Sequence, residues 1–297
     1  MKKILIYNRE KKSLEEEKIY GQKILEYLYT KKLGLFFTKS LLKRKFFSKV
    51  YGNQLKTKFS KRKILDFIEK NSIDTSEFLD DVNSFKSFND FFIRKLKPEA
   101  RPIAMDKDIL ISIADSRLSV FKIQHDIVIP VKGRYFTLEQ ITNNSLLIKK
   151  YLNGLCLIFR LAPIDYHRFC YLDNGIQKEI IKLGKFYNSV HPIALESNLP
   201  IFQSNYREYC EIETENFGDV LHIDIGALGV SKIVQHYPNG KKCFKGEEKG
   251  YFEFGGSTSI LVFCKDTVEI DKDILEYSKQ GIEVLVKYGS AIGRKLS

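Results

Sequence analysis

Ser257 follows two glycines in KGYFEFGGSTSILVFCK, residues 249–265. Glycines inside a run that otherwise reads as one buried strand mark a bulge or a close backbone approach. An ordinary bulge is one reading of this stretch. The nucleophile elbow of an α/β-hydrolase, G-x-S-x-G, is not another, because Ser259 stands where its second glycine belongs. A third reading is chemical. The carbonyl of Gly256 has no Cβ to shield it, and glycine tolerates the backbone conformation that brings the Ser257 hydroxyl onto it. Such an N→O acyl shift gives an ester, elimination then gives dehydroalanine, and hydrolysis leaves an N-terminal pyruvoyl group.

A hydroxyl attacking its own chain needs a base, and the base needs a group to orient it. The chain has five histidines, at 125, 167, 191, 222 and 236. Among them His167 stands in LAPIDYHRFCYLDNG, between charged and aromatic residues directly after an apolar run. Asp115, in ISIADSRLSVF, is a lone carboxylate at the break between two apolar runs. Taken singly, each has a structural reading as well: a histidine satisfied at a strand end, and an aspartate capping a turn.

The elements that must position these groups fall in three zones, the last being ILEYSKQGIEVLVKYGSAIGRK, which fits a short helix or strand. Residues 1 to about 97 read as mainly helical. Ile19, Ile24, Leu25 and Leu28 recur at helical spacing, and SKRKILDFIEKNSIDTSEFLDDV repeats the pattern with Ser60 and Asp74 as N-cap candidates. Pro98 and Pro102 then close the zone. From about Ile103 onward, short runs of branched and aromatic residues alternate with Gly, Asn and Asp, the pattern of strands and turns. The expected fold class is α+β: a mostly antiparallel β catalytic core, residues 101–297, behind a helical, basic region, residues 1–100.

Charge sharpens the division. The chain of 297 residues carries 49 Lys and Arg against 37 Asp and Glu, a net +12. From Gly21 to Lys63 there are thirteen basic residues and one acidic one, Glu26, and the remainder is balanced at 36 of each sign. LGLFFTKSLLKRKFFSKVYG interleaves Leu35, Phe36, Phe37, Leu41, Leu42, Phe46 and Phe47 with Lys39, Lys43, Arg44, Lys45 and Lys49. A helix of that composition can seat apolar rings at an acyl boundary with its cations at anionic headgroups, each worth about 1 kcal/mol. A helix packed on the core with solvated lysines fits as well. Nucleic acid is not expected as a partner, since no base-reading or stacking motif accompanies the charge. No apolar run approaches the ~20 residues that span a bilayer, and no signal peptide is visible. The five cysteines form no CxxC pair and are odd in number, which argues against a disulfide framework or a metal site and for a reducing, cytosolic compartment.

In order along the chain, SKRKILDFIEKNSIDTSEF, SFKSFNDFFIRKLKPEARPI, SIADSRLSVF, LAPIDYHRF, IGALGVSKIV and KGEEKGYFEFGGST make residues 57–264 similar to the phosphatidylserine decarboxylases. That resemblance implies self-cleavage between Gly256 and Ser257, giving a β chain of residues 1–256 and an α chain of residues 257–297. It implies that Ser257 becomes a covalent pyruvoyl cofactor, which forms a Schiff base with the amine of phosphatidylserine and releases CO₂ to leave phosphatidylethanolamine. It assigns Asp115 as the charge-relay carboxylate, with Ser116 where the family has Gly. His167 matches the first His of the family's D-Y-H-R-x-H motif. The second is Cys170 here, so His167 is the substitute base, with His191 in NSVHPIAL in reserve. No metal is implied. The resemblance favours the membrane reading of the basic stretch: peripheral attachment at the cytoplasmic face of the cell membrane, where phosphatidylserine is met in an anionic surface. It also suggests a homodimer. Two rivals are a pyruvoyl decarboxylase of a soluble amino acid derivative and a membrane-surface protein that has lost the chemistry with its second His.

Overall fold

The computed structural model describes residues 4–17, 26–28, 30, 31, 34, 50, 52–124, 127–131, 134–190, 194, 201–227, 232–255 and 257–296. Its frame is an eleven-stranded sheet that is antiparallel except at one pair, with few helices, so the class is α+β. The basic stretch 35–49 and His191 lie outside the described residues, as does Gly256.

Ser257–Phe263 sits in the middle of this sheet, between Asp219–Gly226 on one side and Leu155–Leu161 on the other. Every residue of it is buried. This explains the nearly continuous apolar run, because a strand covered on both faces has no solvent face to mark with polar residues. With period 2, Ile260 and Val262 enter one core cluster and Leu261 and Phe263 the other. Ser257 and Ser259 share the face of Leu261 and Phe263. The next strands outward are Ser116–Lys122 and Glu283–Val286.

The N-terminus departs from the helical expectation. Leu5–Asn8 and Ser13–Glu16 form a hairpin, and Leu5–Asn8 pairs in parallel with Glu283–Val286. Glu17, directly after the hairpin, is buried, and its carboxylate meets Arg117 at 2.8 Å and Arg160 at 2.9 Å. Two buried guanidiniums need an anion, and the chain supplies it from 100 residues or more away in sequence.

The helical expectation holds for Lys63–Asn71 and Phe88–Phe92. Ile64 and Phe67 face inward, and Phe67 meets Phe88 and Phe91 edge-on, with ring centroids 5.2 and 6.0 Å apart. Asp74 caps a short 3-10 turn, accepting from the Ser76 N–H at 2.9 Å. Ser60 does not cap the first helix. It lies inside a preceding 3-10 turn, where its Oγ accepts from the Phe88 N–H at 2.9 Å and so joins the two helical segments.

Beside the large sheet lies a three-stranded one, Ile233–Gln235, Glu248–Phe252 and Arg168–Cys170. It brings the segment after His167 alongside the segment before Ser257. Among the described residues, no helix is long and apolar enough to cross a membrane.

Candidate active site

Ser257 is fully buried, and its hydroxyl donates to Nδ1 of His167 at 3.2 Å. Ninety residues of chain separate the two. The second ring nitrogen, Nε2, lies 2.9 Å from the carbonyl oxygen of Ala162. A carbonyl oxygen only accepts, so Nε2 carries the proton and Nδ1 turns its lone pair to the serine. Burial holds the imidazole neutral: it pushes the pKa down to about 3, Arg94 and Arg117 add to the effect, and the bond to Ala162 opposes it. A neutral imidazole with a free lone pair on a hydroxyl is a poised base.

The orienting carbonyl belongs to a tight turn within LAPIDYHRF. Asp165 accepts from the Ala162 N–H at 2.6 Å, while the Asp165 N–H donates back to the Ala162 carbonyl at 2.9 Å. The Asp165 carboxylate is itself paired with Arg117. Across the ring, Phe92 lies against His167 with centroids 4.1 Å apart. The Phe88–Phe92 helix also holds the other partner, since the Asn89 side-chain carbonyl accepts from the Phe254 N–H at 3.1 Å. Arg168 ties the helix end down, its guanidinium donating to the carbonyls of Ile93 and Arg94. SFNDFF is therefore a brace between imidazole and serine.

Just before the serine, Gly255 has φ +138°, a conformation that residues with a side chain rarely adopt. Lys56 pairs with Glu253 at 2.8 Å and fixes the approach to this turn.

Asp115 is bonded to Arg101 and Tyr288. Both of its oxygens accept from Arg101, at 2.7 to 3.0 Å, and one also accepts from the Tyr288 N–H at 2.8 Å. No hydrogen bond joins it to His167 among the described residues. Cys170 is fully buried, and burial pushes its thiol up to about 12, so it is protonated at neutral pH.

Behind Ser257 lies a polar cluster that motif reading passed over. Ser259 donates to Asp224 Oδ1 at 2.6 Å, and His222 Nε2 lies 3.0 Å from the same oxygen. Lys249, almost fully buried, reaches Asp224 Oδ2 at 3.2 Å and Gln235 Oε1 at 2.8 Å. Burial alone would raise the Asp224 pKa, but His222, Lys249 and Ser259 together hold it well below the ordinary carboxylate range. The signal for this cluster is His-x-Asp in HIDIG, two polar residues on one face of a buried strand.

Residues 88–294 match the family model described as phosphatidylserine decarboxylase. A phosphatidylserine decarboxylase proenzyme of Clostridium novyi (strain NT) is 46% identical over 294 residues, covering 99% of this chain and all of the relative. The proenzyme of Clostridium botulinum (strain Langeland / NCTC 10281 / Type F) is 46% identical over 293 residues, covering 98% and 99%. That of Clostridium beijerinckii (strain ATCC 51743 / NCIMB 8052) is 45% identical over 294, covering 99% of each.

Proposed function

This chain belongs to the phosphatidylserine decarboxylase family, and we propose that it converts phosphatidylserine to phosphatidylethanolamine and CO₂ after cutting itself between Gly256 and Ser257. The observation that carries the reading is the 3.2 Å contact between the Ser257 hydroxyl and the unprotonated nitrogen of His167.

His167 takes the serine proton as Oγ bonds to the Gly256 carbonyl carbon. His167 passes that proton to the departing nitrogen as the Gly256–Ser257 C–N bond breaks, leaving an ester and a free amine on residue 257. Loss of the Ser257 α-proton expels the Gly256 carboxylate, and hydrolysis of the resulting enamine releases ammonia and leaves the pyruvoyl group. When formed, that group supplies an electrophilic carbonyl for the substrate amine and a sink for the electrons freed as CO₂ leaves.

The residues present suit such a group. It would begin the 257–263 strand, which stays hydrogen-bonded to a neighbour on each side. Further along, Glu283–Val286 pairs with Ser116–Lys122 and Leu5–Asn8, so the products 1–256 and 257–297 stay one folded body after the cut. Nδ1 of His167, whose lone pair faces the site, takes a proton from the substrate ammonium and returns it to the former α-carbon. Asp115, clamped by Arg101, steadies the bend at 113–115, where the Ile113 carbonyl accepts from the Cys170 N–H at 3.0 Å. The basic, aromatic stretch 35–49 supports peripheral attachment to an anionic membrane at its cytoplasmic face, and the working unit is a homodimer.

The mass of the purified protein under denaturing conditions tests the reading. Two fragments are expected, the smaller one blocked to Edman sequencing, together with CO₂ release from carboxyl-labelled phosphatidylserine in vesicles. A single uncut chain of 34.6 kDa would overturn it. Release of CO₂ from a soluble amino acid derivative alone would overturn the lipid substrate.

A further inference from the structure

A guanidinium leaves water only where something replaces its hydration. Arg94 breaks that expectation. It is 6% exposed, and its Nε has no hydrogen-bond partner among the described residues. The carboxylates nearest in charge are committed elsewhere, Asp115 to Arg101 and Asp165 to Arg117. What Arg94 has instead is two aromatic faces: its guanidinium carbon lies 5.0 Å from the ring centroids of both Phe78 and Phe91. Cation–π contacts serve the flat faces of a guanidinium and leave its N–H edge unused.

Arg94 lines a cleft of about 360 Å³ together with Ile93, Lys95 and Arg168. Arg168 is neutralised by Glu248 at 2.7 Å. Of the acidic residues on the cleft, Asp80 is exposed, and Asp90 is engaged by the Lys86 N–H at 2.8 Å. Among the described residues, Arg94 is therefore the buried cation on the cleft with no hydrogen-bond or ion-pair partner. It stands two residues beyond Phe92, whose ring covers His167, and its charge is felt at that imidazole.

We propose that Arg94 receives the phosphodiester group of the substrate headgroup. The inference rests on the decarboxylase reading. A phosphodiester offers two anionic oxygens to a planar N–H edge, the geometry guanidinium groups favour. The substrate carboxylate is the poorer candidate, because a fixed cation on it would hold its charge in the ground state and oppose departure as CO₂.

The test uses the full chain with Ser257→Ala, which needs no processing, titrated by calorimetry with three probes. Glycerophosphoethanolamine has the phosphodiester without the carboxylate, serine has the carboxylate without the phosphate, and inorganic phosphate has neither glycerol nor amine. Glycerophosphoethanolamine is expected to bind, to weaken roughly ten-fold or more when Arg94→Met is added, and to weaken less with Arg94→Lys. Serine binding is expected to be unchanged. In processed enzyme, Arg94→Lys is expected to raise KM for phosphatidylserine with little change in kcat. Equal affinity of the diester with and without Arg94 would overturn the assignment. Loss of serine binding instead would assign Arg94 to the carboxylate, and inorganic phosphate binding as tightly as the diester would assign it to a free anion; both overturn the proposal. If the unmutated enzyme released no CO₂ while the calorimetric pattern held, the decarboxylase reading would fail and the anion site would stand.

Discussion

Asp115 and Arg101 form a closed fork: both carboxylate oxygens accept from one guanidinium, which also meets Glu77 at 3.1 Å. We propose that a carboxylate held this way acts as an anchor; the ring nitrogen Nε2 of His167 bonds to the Ala162 carbonyl. Anchoring predicts that Asp115→Asn and Arg101→Gln act alike. Each should slow self-cleavage and lower the urea midpoint, and the double variant should be no worse than either single one. A cleavage defect in Asp115→Asn alone, with the midpoint unmoved, would restore the relay.

On the proposed reading His167→Ala removes the base, and it should slow conversion of precursor to fragments by roughly 10²–10⁴-fold. Time courses on denaturing gels measure this directly. His191→Ala should process at the normal rate. The reverse pattern would move the base to His191.

The imidazole's depressed pKa also fixes a sign. His167 titrates near 3 in the folded chain and at about 6.5 in an unfolded one. Between those values the unfolded state binds more protons, so this residue makes stability fall as pH drops from 6.5 toward 3, by about 1.4 kcal/mol per unit at most. Denaturant melts of Ser257→Ala at pH 7 and pH 5 should show the loss, and adding His167→Phe should flatten the slope. Cleavage itself should hold steady from pH 6 to 8, because the base is already unprotonated.

Phe92→Leu keeps the core apolar while removing the ring that covers His167. Displacing a reacting group by about 1 Å can cost roughly 10²-fold, so processing should slow by about that factor, with a stability cost of ~1–2 kcal/mol. Normal processing in a variant destabilised to this extent would show that the brace is mere packing.

Lys249→Met would leave Asp224 as a buried anion short of its cation, at a cost of about 3–5 kcal/mol. Lys249→Met combined with Asp224→Leu should recover much of that loss, leaving Ser259 and His222 without their acceptor. Urea melts of the four-member cycle give the coupling, and additive losses would show that the pair does not interact.

Much of this could be read along the chain. Alternation and branched residues marked the strands beyond Ile103, and the two glycines singled out Ser257. The spacing inside LAPIDYHRF placed His167 next to an apolar run. These features are local, so neighbours in sequence express them. The N-terminal hairpin was missed for the opposite reason: Leu5–Asn8 is a strand because Glu283–Val286 lies beside it, and Glu17 is buried because two distant arginines need it.

The residue types that could carry the proposed chemistry were legible in the chain alone, since a Gly–Ser bond and an imidazole hold their reactivity in their own atoms. Only the tertiary structure decided which groups orient that chemistry. The imidazole is served by a backbone carbonyl, which every residue possesses and no motif distinguishes. The carboxylate at Asp115 went to Arg101, a choice between partners set by distance in the folded chain.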